Sequence, residues 1–132
     1  MENKQKTILV VEDERPLLEA IKIKLEKSGF TVVTARSVEQ TLDYLNEIHT
    51  VDAVWLDHYL LGKENGLDFV TKLKSQDGKW SNIPIFVVSN TATEDKVQAY
   101  IRFGVNKYYT KADHKLEEII NDIKSFLENP KE

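Results

Sequence analysis

Short runs of apolar, mostly β-branched residues alternate along the chain with longer stretches in which apolar residues recur every three or four positions. The short runs predict β-strands, and the longer stretches predict amphipathic helices. Five strands are expected in this alternation. They are Thr7–Val11 (TILVV), Thr31–Ala35 (TVVTA), Ala53–Leu56 (AVWL), Ile83–Ser89 (IPIFVVS) and Lys107–Thr110 (KYYT).

Capping residues mark several predicted helix ends. Ser37, with Gln40 three residues later, has the spacing of a capping box. Gly29 and Gly104 stand just past predicted helix ends, where a residue in the left-handed conformation is expected. Asp113 is the predicted N-cap of the last helix. These signals support a helix after each strand.

The alternation of strands and helices predicts a parallel sheet, because parallel strands need crossover connections. Strands that are apolar throughout need cover on both faces, so we expect a three-layer α/β/α sandwich. The 132 residues, 41% of them hydrophobic, are enough for one core. We expect a single domain over residues 1–132, with its core at about 6–128.

Composition narrows the class of partner. The chain has 22 acidic and 18 basic residues and a net charge of −4, which argues against a surface that neutralises nucleic-acid phosphates. Cysteine is absent, as is typical of a reducing cytoplasm. The apolar runs are strand-length, too short for a membrane span or a signal peptide. We expect a cytoplasmic protein that binds neither nucleic acid nor membrane.

Polar side chains follow four of the five predicted strands. In parallel α/β sheets, functional sites form beyond the carboxyl ends of the strands, so these side chains are candidate site residues. They are Glu12, Asp13 and Glu14 after the first strand, Asp57 after the third, Ser89 and Asn90 at the fourth, and Lys111 after the fifth.

The chemistry of these residues indicates a phosphoryl acceptor. If the first and third strands are neighbours, the carboxylates of Glu12, Asp13 and Asp57 converge and repel one another unless a cation lies between them. Oxygen ligands of this kind suit Mg²⁺. Asp57 could then attack a phosphoryl group and form an aspartyl phosphate, with the Lys111 ammonium and the Ser89 hydroxyl close by.

These residues resemble those of the receiver domain of two-component response regulators, over nearly the whole chain. VVEDE is similar to the family's acidic metal pair, at Glu12 and Asp13. Asp57 matches the phosphoacceptor, Ser89 the switch hydroxyl and Lys111 the invariant lysine. The resemblance implies a flavodoxin-like receiver fold with strand order 2-1-3-4-5.

The resemblance carries further implications. Tyr108, three residues before the lysine, would be the aromatic switch residue, and Asn90 would control access to the phosphorylation site. The backbone carbonyl of Tyr59 would join the carboxylates as a ligand of Mg²⁺ or Mn²⁺. The phosphoryl donor would be a histidine kinase or a histidine phosphotransfer protein. The chain would not be an enzyme acting on other substrates, because it would catalyse only its own phosphorylation and dephosphorylation.

Output is expected through a surface formed by the fourth helix, the fifth strand and the fifth helix. A phosphoryl group would draw Ser89 inward, and Tyr108 could rotate from an exposed to a buried position. The mixed charge of this surface suits a homodimer or a downstream protein. Its residues include Asp95, Lys96, Tyr100, Arg102, Lys107, Glu117 and Glu118, with the fourth helix expected over Thr93–Phe103.

The sequence departs from the family pattern in several places. Ala112 replaces the usual proline after the lysine, and a cis peptide before alanine costs about 3 kcal/mol more than trans, so a trans bond is expected. Asn90 replaces a small residue, Leu61 replaces a proline, Gly66 comes one residue late, and Glu12 replaces an aspartate. Ala112 and Asn90 keep open an alternative, a degenerate receiver that acts as a phosphorylation-independent interaction module.

Simpler interpretations of single residues also remain. Asp57 could be a turn former, Asp13 only an N-cap, and Lys111 a solvated surface lysine. The histidines share no metal-ligand spacing and are interpreted as surface or loop residues, and both tryptophans as packing residues. These five are His49, His58, His114, Trp55 and Trp80.

Other α/β classes fit the sequence less well. A flavodoxin-type flavin binder needs a phosphate loop after the first strand, where this chain has acids that repel phosphate. GKENG is not the glycine and lysine motif of a P-loop NTPase. A haloacid-dehalogenase-type phosphatase has a second aspartate where Tyr59 stands here.

Overall fold

The computed structural model describes residues 5–47, 50–75, 78, 80–91 and 93–128, in which five strands and five helices alternate. The strands are β1 (Thr7–Val11), β2 (Thr31–Ala35), β3 (Ala53–Leu56), β4 (Ile85–Ser89) and β5 (Lys107–Thr110). The helices are α1 (Arg15–Lys27), α2 (Val38–Glu47), α3 (Gly66–Lys74), α4 (Glu94–Arg102) and α5 (Leu116–Glu128). Four strands have the predicted bounds, and only β4 differs.

Strand β4 begins at Ile85 and not at Ile83, as the apolar run had predicted. The backbone N–H of Ile83 closes a turn onto the carbonyl of Trp80 at 3.1 Å, and Pro84 has no N–H to donate to a neighbouring strand. The Pro84 carbonyl still accepts a hydrogen bond from the N–H of Val54 at 2.9 Å. The proline therefore lies at the entry to the strand.

The sheet has the order β2-β1-β3-β4-β5 and every pairing in it is parallel, as expected. Val11 pairs with Leu56 at the ends of the two central strands, and Ser89 pairs with Thr110 at the ends of β4 and β5. All strands therefore end at the same edge, and the residues that follow them come together there.

Helices cover both faces of the sheet, which confirms the three-layer sandwich. On one face, α1 and α5 pack on a layer that includes Ile8, Val10, Trp55 and Val88. On the other face, α2, α3 and α4 pack on alternate strand residues, which include Leu9, Val11, Val54, Leu56 and Val87. In the part of the chain that the structure describes, no helix combines the length and the apolar character needed to cross a membrane.

Two of the predicted caps are confirmed and one is confirmed in part. Gly29 has φ 98° and Gly104 has φ 91°, the left-handed conformation that glycine adopts without steric cost. The Ser37 hydroxyl accepts from the N–H of Gln40 at 3.0 Å. The Gln40 side chain accepts from the N–H of Arg36 at 2.8 Å and not from that of Ser37, so the capping box is incomplete.

The prediction that Asp113 caps the last helix is wrong. The N–H of Asp113 bonds to the carbonyl of Thr110 at 3.0 Å in a turn, and α5 begins only at Leu116. The carbonyl of Lys115 accepts the first backbone hydrogen bonds of the helix. The intervening turns let the chain leave β5 and place Lys111 over the edge of the sheet before α5 starts.

Candidate functional site

Three carboxylates meet at the carboxyl edge of the two central strands. The N–H of Glu12 donates to the carbonyl of Ala35 at 3.0 Å, and the N–H of Asp57 donates to that of Val11 at 2.9 Å. These hydrogen bonds continue the sheet one residue past the ends of β1 and β3. Carboxylate oxygens of Glu12, Asp13 and Asp57 lie within 4.8 Å of one another. The convergence expected from the sequence is present.

Two of these carboxylates are almost completely buried. Glu12 is 1% exposed and Asp57 is 4% exposed. Burial, and then the charge of Asp57, raise the pKa of Glu12 to about 7. Burial also raises the pKa of Asp57. Because the site offers only oxygen donors and its carboxylates are costly to ionise together, the residues fit a hard divalent cation.

The Lys111 ammonium provides the positive charge in this site. Its Nζ lies 3.0 Å from Oε1 of Glu12 and 3.6 Å from Oδ2 of Asp57. The N–H of Lys111 donates to the carbonyl of Ser89 at 2.8 Å, which extends the β4–β5 pairing and holds the lysine at the edge. Because of these contacts, the interpretation of Lys111 as a solvated surface lysine is wrong. No described residue, Ala112 included, follows a cis peptide bond.

Asp13 is not the N-cap of α1. That position is taken by Glu14, whose side chain makes no capping hydrogen bond. The carbonyl of Asp13 instead accepts from Arg36, at 3.0 Å from Nε and 2.6 Å from Nη2. Sequence reasoning assigned no role to Arg36, although it directly follows β2 at the same edge. Its guanidinium positions the loop that carries Asp13.

Ser89 ends β4, the strand next to β3, and Tyr108 lies on β5, the edge strand beyond it. Ser89 is fully buried, and its hydroxyl accepts a long hydrogen bond of 3.5 Å from the N–H of Thr91. Tyr108 is half-buried, and its hydroxyl donates to the carbonyl of Thr91. Tyr109, its neighbour on the strand, is buried on the other face. Thr91 therefore contacts both residues that were predicted to form the switch.

A buried hydrogen bond between His58 and Tyr100 was not predicted. His58 is 7% exposed and Tyr100 is fully buried, so the placement of both residues at the surface was wrong. His58 Nδ1 lies 2.6 Å from the Tyr100 hydroxyl, and burial lowers the pKa of this imidazole. Tyr100 follows Val97 by three residues, and this helical spacing of apolar side chains is the sequence signal that places Tyr100 on the inner face of α4.

The Tyr100 ring links this pair to the predicted switch residue. Its centroid lies 5.6 Å from that of Tyr108, at an interplanar angle of 54°. His58 directly follows Asp57, and its N–H donates to Oδ1 of that carboxylate at 2.8 Å. A continuous series of contacts therefore runs from the carboxylate cluster through α4 to β5.

Lys96 of α4 crosses to the loop after β3. Its Nζ lies 2.8 Å from the Thr91 hydroxyl and 3.0 Å from the Tyr59 hydroxyl, and 4.8 Å from the centre of the Tyr59 ring. Tyr59 is 49% exposed, and Asn90 is also exposed. Lys96 therefore joins the start of α4 to the loops that follow β3 and β4.

The remaining histidine and tryptophan predictions have separate outcomes. His114 is half-exposed in the loop before α5, as expected, and its Nδ1 lies 2.9 Å from the Glu118 carboxylate. His49 lies outside the described residues. Trp55 is fully buried, and Trp80 packs against the core while its Nε1 donates to the carbonyl of Leu45 at 3.1 Å. The prediction that both tryptophans are packing residues is confirmed.

The chain is similar to known response regulators in sequence and in structure. It is 32% identical over 122 residues to the heme response regulator HssR of Staphylococcus saprophyticus, an alignment that covers 92% of this chain and 51% of that protein. It is 34% identical over 104 residues to the phosphate regulon transcriptional regulatory protein PhoB of Klebsiella pneumoniae, covering 79% and 44%. The chain thus spans about half the length of these relatives.

A solved structure has the same fold over almost its whole length. The phosphorylated cyanobacterial phytochrome response regulator RcpA superposes with a TM-score of 0.84 at 26% sequence identity, covering 96% of each chain. The family model described as the response regulator receiver domain matches residues 8–124 of this chain. That range includes β2 to β5, all of β1 except Thr7, and every carboxylate of the cluster. The chain therefore belongs to the response regulator receiver domain family.

Proposed function

We propose that this chain, as a single receiver domain, accepts a phosphoryl group on Asp57 from a histidine kinase or a histidine phosphotransfer protein. The observation that carries the proposal is the Asp57 carboxylate, with Glu12 and Asp13 within 4.8 Å and the Lys111 ammonium at 3.6 Å. A carboxylate oxygen of Asp57 attacks phosphorus and the phosphorus–nitrogen bond to the donor histidine breaks. The imidazole leaves with the electron pair of that bond and takes up a proton.

The chain's own residues position the groups for this transfer. The N–H of His58 holds one oxygen of Asp57, which leaves Oδ2, the oxygen on the Lys111 side, to react. The Lys111 ammonium can pair with an oxygen of the incoming phosphoryl group, and Ser89 can donate to another. The exposed Asn90 would line the path to solvent and affect the rates of phosphorylation and hydrolysis.

The carboxylate cluster is the proposed metal site. Asp13, Asp57 and the backbone carbonyl of Tyr59 would hold Mg²⁺ or Mn²⁺, with Glu12 acting through a water molecule. When bound, such a cation neutralises charge on the carboxylates and on phosphoryl oxygens. The proposal is supported by burial, which raises the pKa of Glu12 and of Asp57 and makes these carboxylates costly to ionise together without a cation.

Phosphorylation can be tested directly with acetyl phosphate as a small donor. We expect the wild-type protein with Mg²⁺ to gain the mass of one phosphoryl group, and to gain none when EDTA replaces Mg²⁺. The exposed Asp43→Asn variant, on α2, should behave like the wild type. If the wild type binds Mg²⁺ but is never phosphorylated, the chain is instead a degenerate receiver that acts as an interaction module.

Asp13→Ala is expected to weaken Mg²⁺ binding by about tenfold or more, since even changes behind the ligand shell of a metal site cost about that much. Binding can be followed by the fluorescence of Trp55, two residues before Asp57, in a Trp80→Phe background. Asp43→Ala serves as the control for loss of an exposed aspartate. An affinity unchanged in Asp13→Ala would remove this carboxylate from the proposed site.

Output is proposed to pass through the α4–β5–α5 face. A phosphoryl group adds about 1.5 to 2 negative charges and three acceptor oxygens at the end of β3. Drawing Ser89 toward it would disturb Thr91, which contacts Tyr108. The exposed or half-exposed residues of this face can then bind a second copy or a downstream protein. They are Asp95, Lys96, Arg102, Lys107 and Glu118. Glu117, which was expected on this face, instead pairs with Lys24 of α1 at 2.5 Å.

Beryllofluoride with Mg²⁺ is expected to strengthen self-association or partner binding of the wild type by about fivefold or more, a usual size for coupling between two sites. Mg²⁺ alone should leave the protein largely monomeric. Ser89→Ala should lose the response and keep the Mg²⁺ affinity, because the hydroxyl is proposed to contact the phosphoryl group and not the metal. Sedimentation of both proteins measures this. Equal responses would show that Ser89 is not the switch.

A further inference from the structure

Arg36 connects the loops that follow the first three strands of the chain. It stands directly after β2 and donates from Nε and Nη2 to the carbonyl of Asp13, in the loop after β1, at 3.0 Å and 2.6 Å. Its own carbonyl accepts from the N–H of Leu61, in the loop after β3, at 3.0 Å. The loops after β1 and β3 carry the three carboxylates of the cluster. One residue outside the cluster therefore ties both of its loops together.

The backbone of Arg36 is held on each side, which gives its guanidinium a fixed base. Its N–H donates to Oε1 of Gln40 in α2 at 2.8 Å, and its carbonyl is held by the loop after β3. Ala35, the preceding residue, pairs with Val11 in the sheet. Arg36 is also half-buried, so its side chain has less rotamer freedom than a fully exposed arginine. The two hydrogen bonds to Asp13 thus start from a well-fixed residue.

Asp13 depends on these hydrogen bonds for its position. Among the described residues, Asp13 takes part in no other hydrogen bond and in no ion pair. Its neighbours are fixed separately, because the N–H of Glu12 donates to the sheet and that of Glu14 donates to Oε2 of Glu12 at 3.0 Å. Asp13 is half-exposed, whereas Glu12 and Asp57 are almost completely buried. Of the three acidic residues, Asp13 is therefore the one that a single partner holds.

The acceptor that Arg36 uses leaves the Asp13 carboxylate free. A guanidinium frequently binds a carboxylate with two parallel hydrogen bonds. Here both donors bind the carbonyl oxygen of Asp13, so the carboxylate keeps its oxygens for a cation. An arginine paired with that carboxylate would compete with the cation for the same oxygens. The arrangement therefore holds Asp13 without neutralising its charge.

We infer that Arg36 is a positioning residue of the proposed metal site and sets its preference for Mg²⁺ over Ca²⁺. Mg²⁺ requires near-ideal octahedral geometry at short distances, whereas Ca²⁺ accepts irregular sites with longer bonds. Arg36 holds Asp13 where its carboxylate lies within 4.8 Å of the other two. A released Asp13 should cost the site Mg²⁺ affinity and less of its Ca²⁺ affinity. This inference rests on the proposed function, because the carboxylate cluster must bind a divalent cation.

Position and charge have opposite effects on cation binding, so the two roles of Arg36 can be separated. A guanidinium that acted only through its charge would repel the cation, and Arg36→Gln would then tighten the binding of Mg²⁺ and Ca²⁺ alike. A guanidinium that positions Asp13 is needed for Mg²⁺ binding, so Arg36→Gln should weaken it in spite of the lost charge. Arg36→Lys keeps the charge but replaces the planar fork of donors with one flexible ammonium, so it should also weaken Mg²⁺ binding.

Nuclear magnetic resonance of ¹³C,¹⁵N-labelled proteins, titrated with Mg²⁺ and with Ca²⁺, measures these effects. We expect both Arg36 variants to bind Mg²⁺ about tenfold more weakly, the usual effect of removing a residue behind the ligands of a metal site, and to lose Ca²⁺ affinity by a smaller factor. Without metal, the carbonyl carbon signal of Asp13 should shift in both variants, because the hydrogen bonds to its oxygen are changed. Arg15→Gln removes an exposed charge two residues after Asp13 and should leave the ratio of the two affinities unchanged.

The inference is overturned if a folded Arg36 variant binds Mg²⁺ as tightly as the wild type, or if the affinities for Mg²⁺ and Ca²⁺ fall by the same factor. An unshifted Asp13 carbonyl signal in both variants also overturns it, and that measurement needs no metal. Arg36→Lys preserves charge and approximate size, so it decides the question even if Arg36→Gln does not fold. If the wild type binds neither cation, the proposed metal site fails, an outcome distinct from equal binding by the wild type and the Arg36 variants.

Discussion

Asp57→Asn is expected to raise the free energy of unfolding of the metal-free protein by about 2 kcal/mol while abolishing phosphorylation. Asp57 is 4% exposed, and its charge lies close to Glu12 and Asp13, with Lys111 as the positive partner at 3.6 Å. Replacing the Asp57 carboxylate by a neutral amide removes a charge that burial disfavours, so the folded protein becomes more stable. The amide oxygen can still accept from the N–H of His58.

Denaturant unfolding in EDTA and in Mg²⁺ measures this effect. In EDTA, Asp57→Asn should be the more stable protein, and the exposed Asp43→Asn should match the wild type. Mg²⁺ should stabilise the wild type more than Asp57→Asn, because a ligand that binds only the folded state adds stability according to its affinity. A lower stability of Asp57→Asn in EDTA would mean that attraction to Lys111 outweighs the cost of burying the carboxylate.

Gly66→Ala is expected to destabilise the protein by about 3 kcal/mol, the upper part of the range for overpacking a core. A Cβ atom at this position would lie 2.6 Å from the Tyr100 hydroxyl and 2.7 Å from the carbonyl oxygen of Asp57. The second contact is with the backbone at the end of β3, which the sheet holds in place. The N–H of Gly66 also donates to the carbonyl of His58 at 2.8 Å, so the helix cannot move away without losing this bond.

Two further variants make this prediction specific. Gly78→Ala places a Cβ where no atom lies within 4 Å, so its stability should stay within about 0.5 kcal/mol of the wild type. Adding Tyr100→Phe to Gly66→Ala removes the hydroxyl contact but leaves the Asp57 carbonyl, so stability should return only in part. If Gly66→Ala unfolds at the same denaturant concentration as Gly78→Ala, the close approach of α3 to the backbone after β3 is contradicted.

Local patterns were enough to predict the elements and the edge at which the site forms. Short apolar runs such as Thr7–Val11 and Ala53–Leu56 form strands, as predicted. Because these strands are apolar throughout, they need cover on both faces of the sheet. The polar residues directly after these runs must lie at one edge of a parallel sheet, and Glu12 and Asp57 do. The start of β4 was predicted at Ile83, but a turn ends there and the strand begins after Pro84. Asp113 was predicted as a helix cap, but it lies in a turn before α5.

Only the tertiary structure decided how residues from distant elements pair around that edge. His58 and Tyr100 are 42 residues apart, and each alone looks like an ordinary loop or helix-surface residue. Arg36 reaches the Asp13 carbonyl from the end of the neighbouring strand, and the fully buried Trp55 packs in a layer with residues of two helices at opposite ends of the chain. The periodicity of apolar residues indicates which face of a helix or strand is buried. The contacts between distant residues depend instead on how closely two elements pack, and the sequence of a single element does not determine that distance.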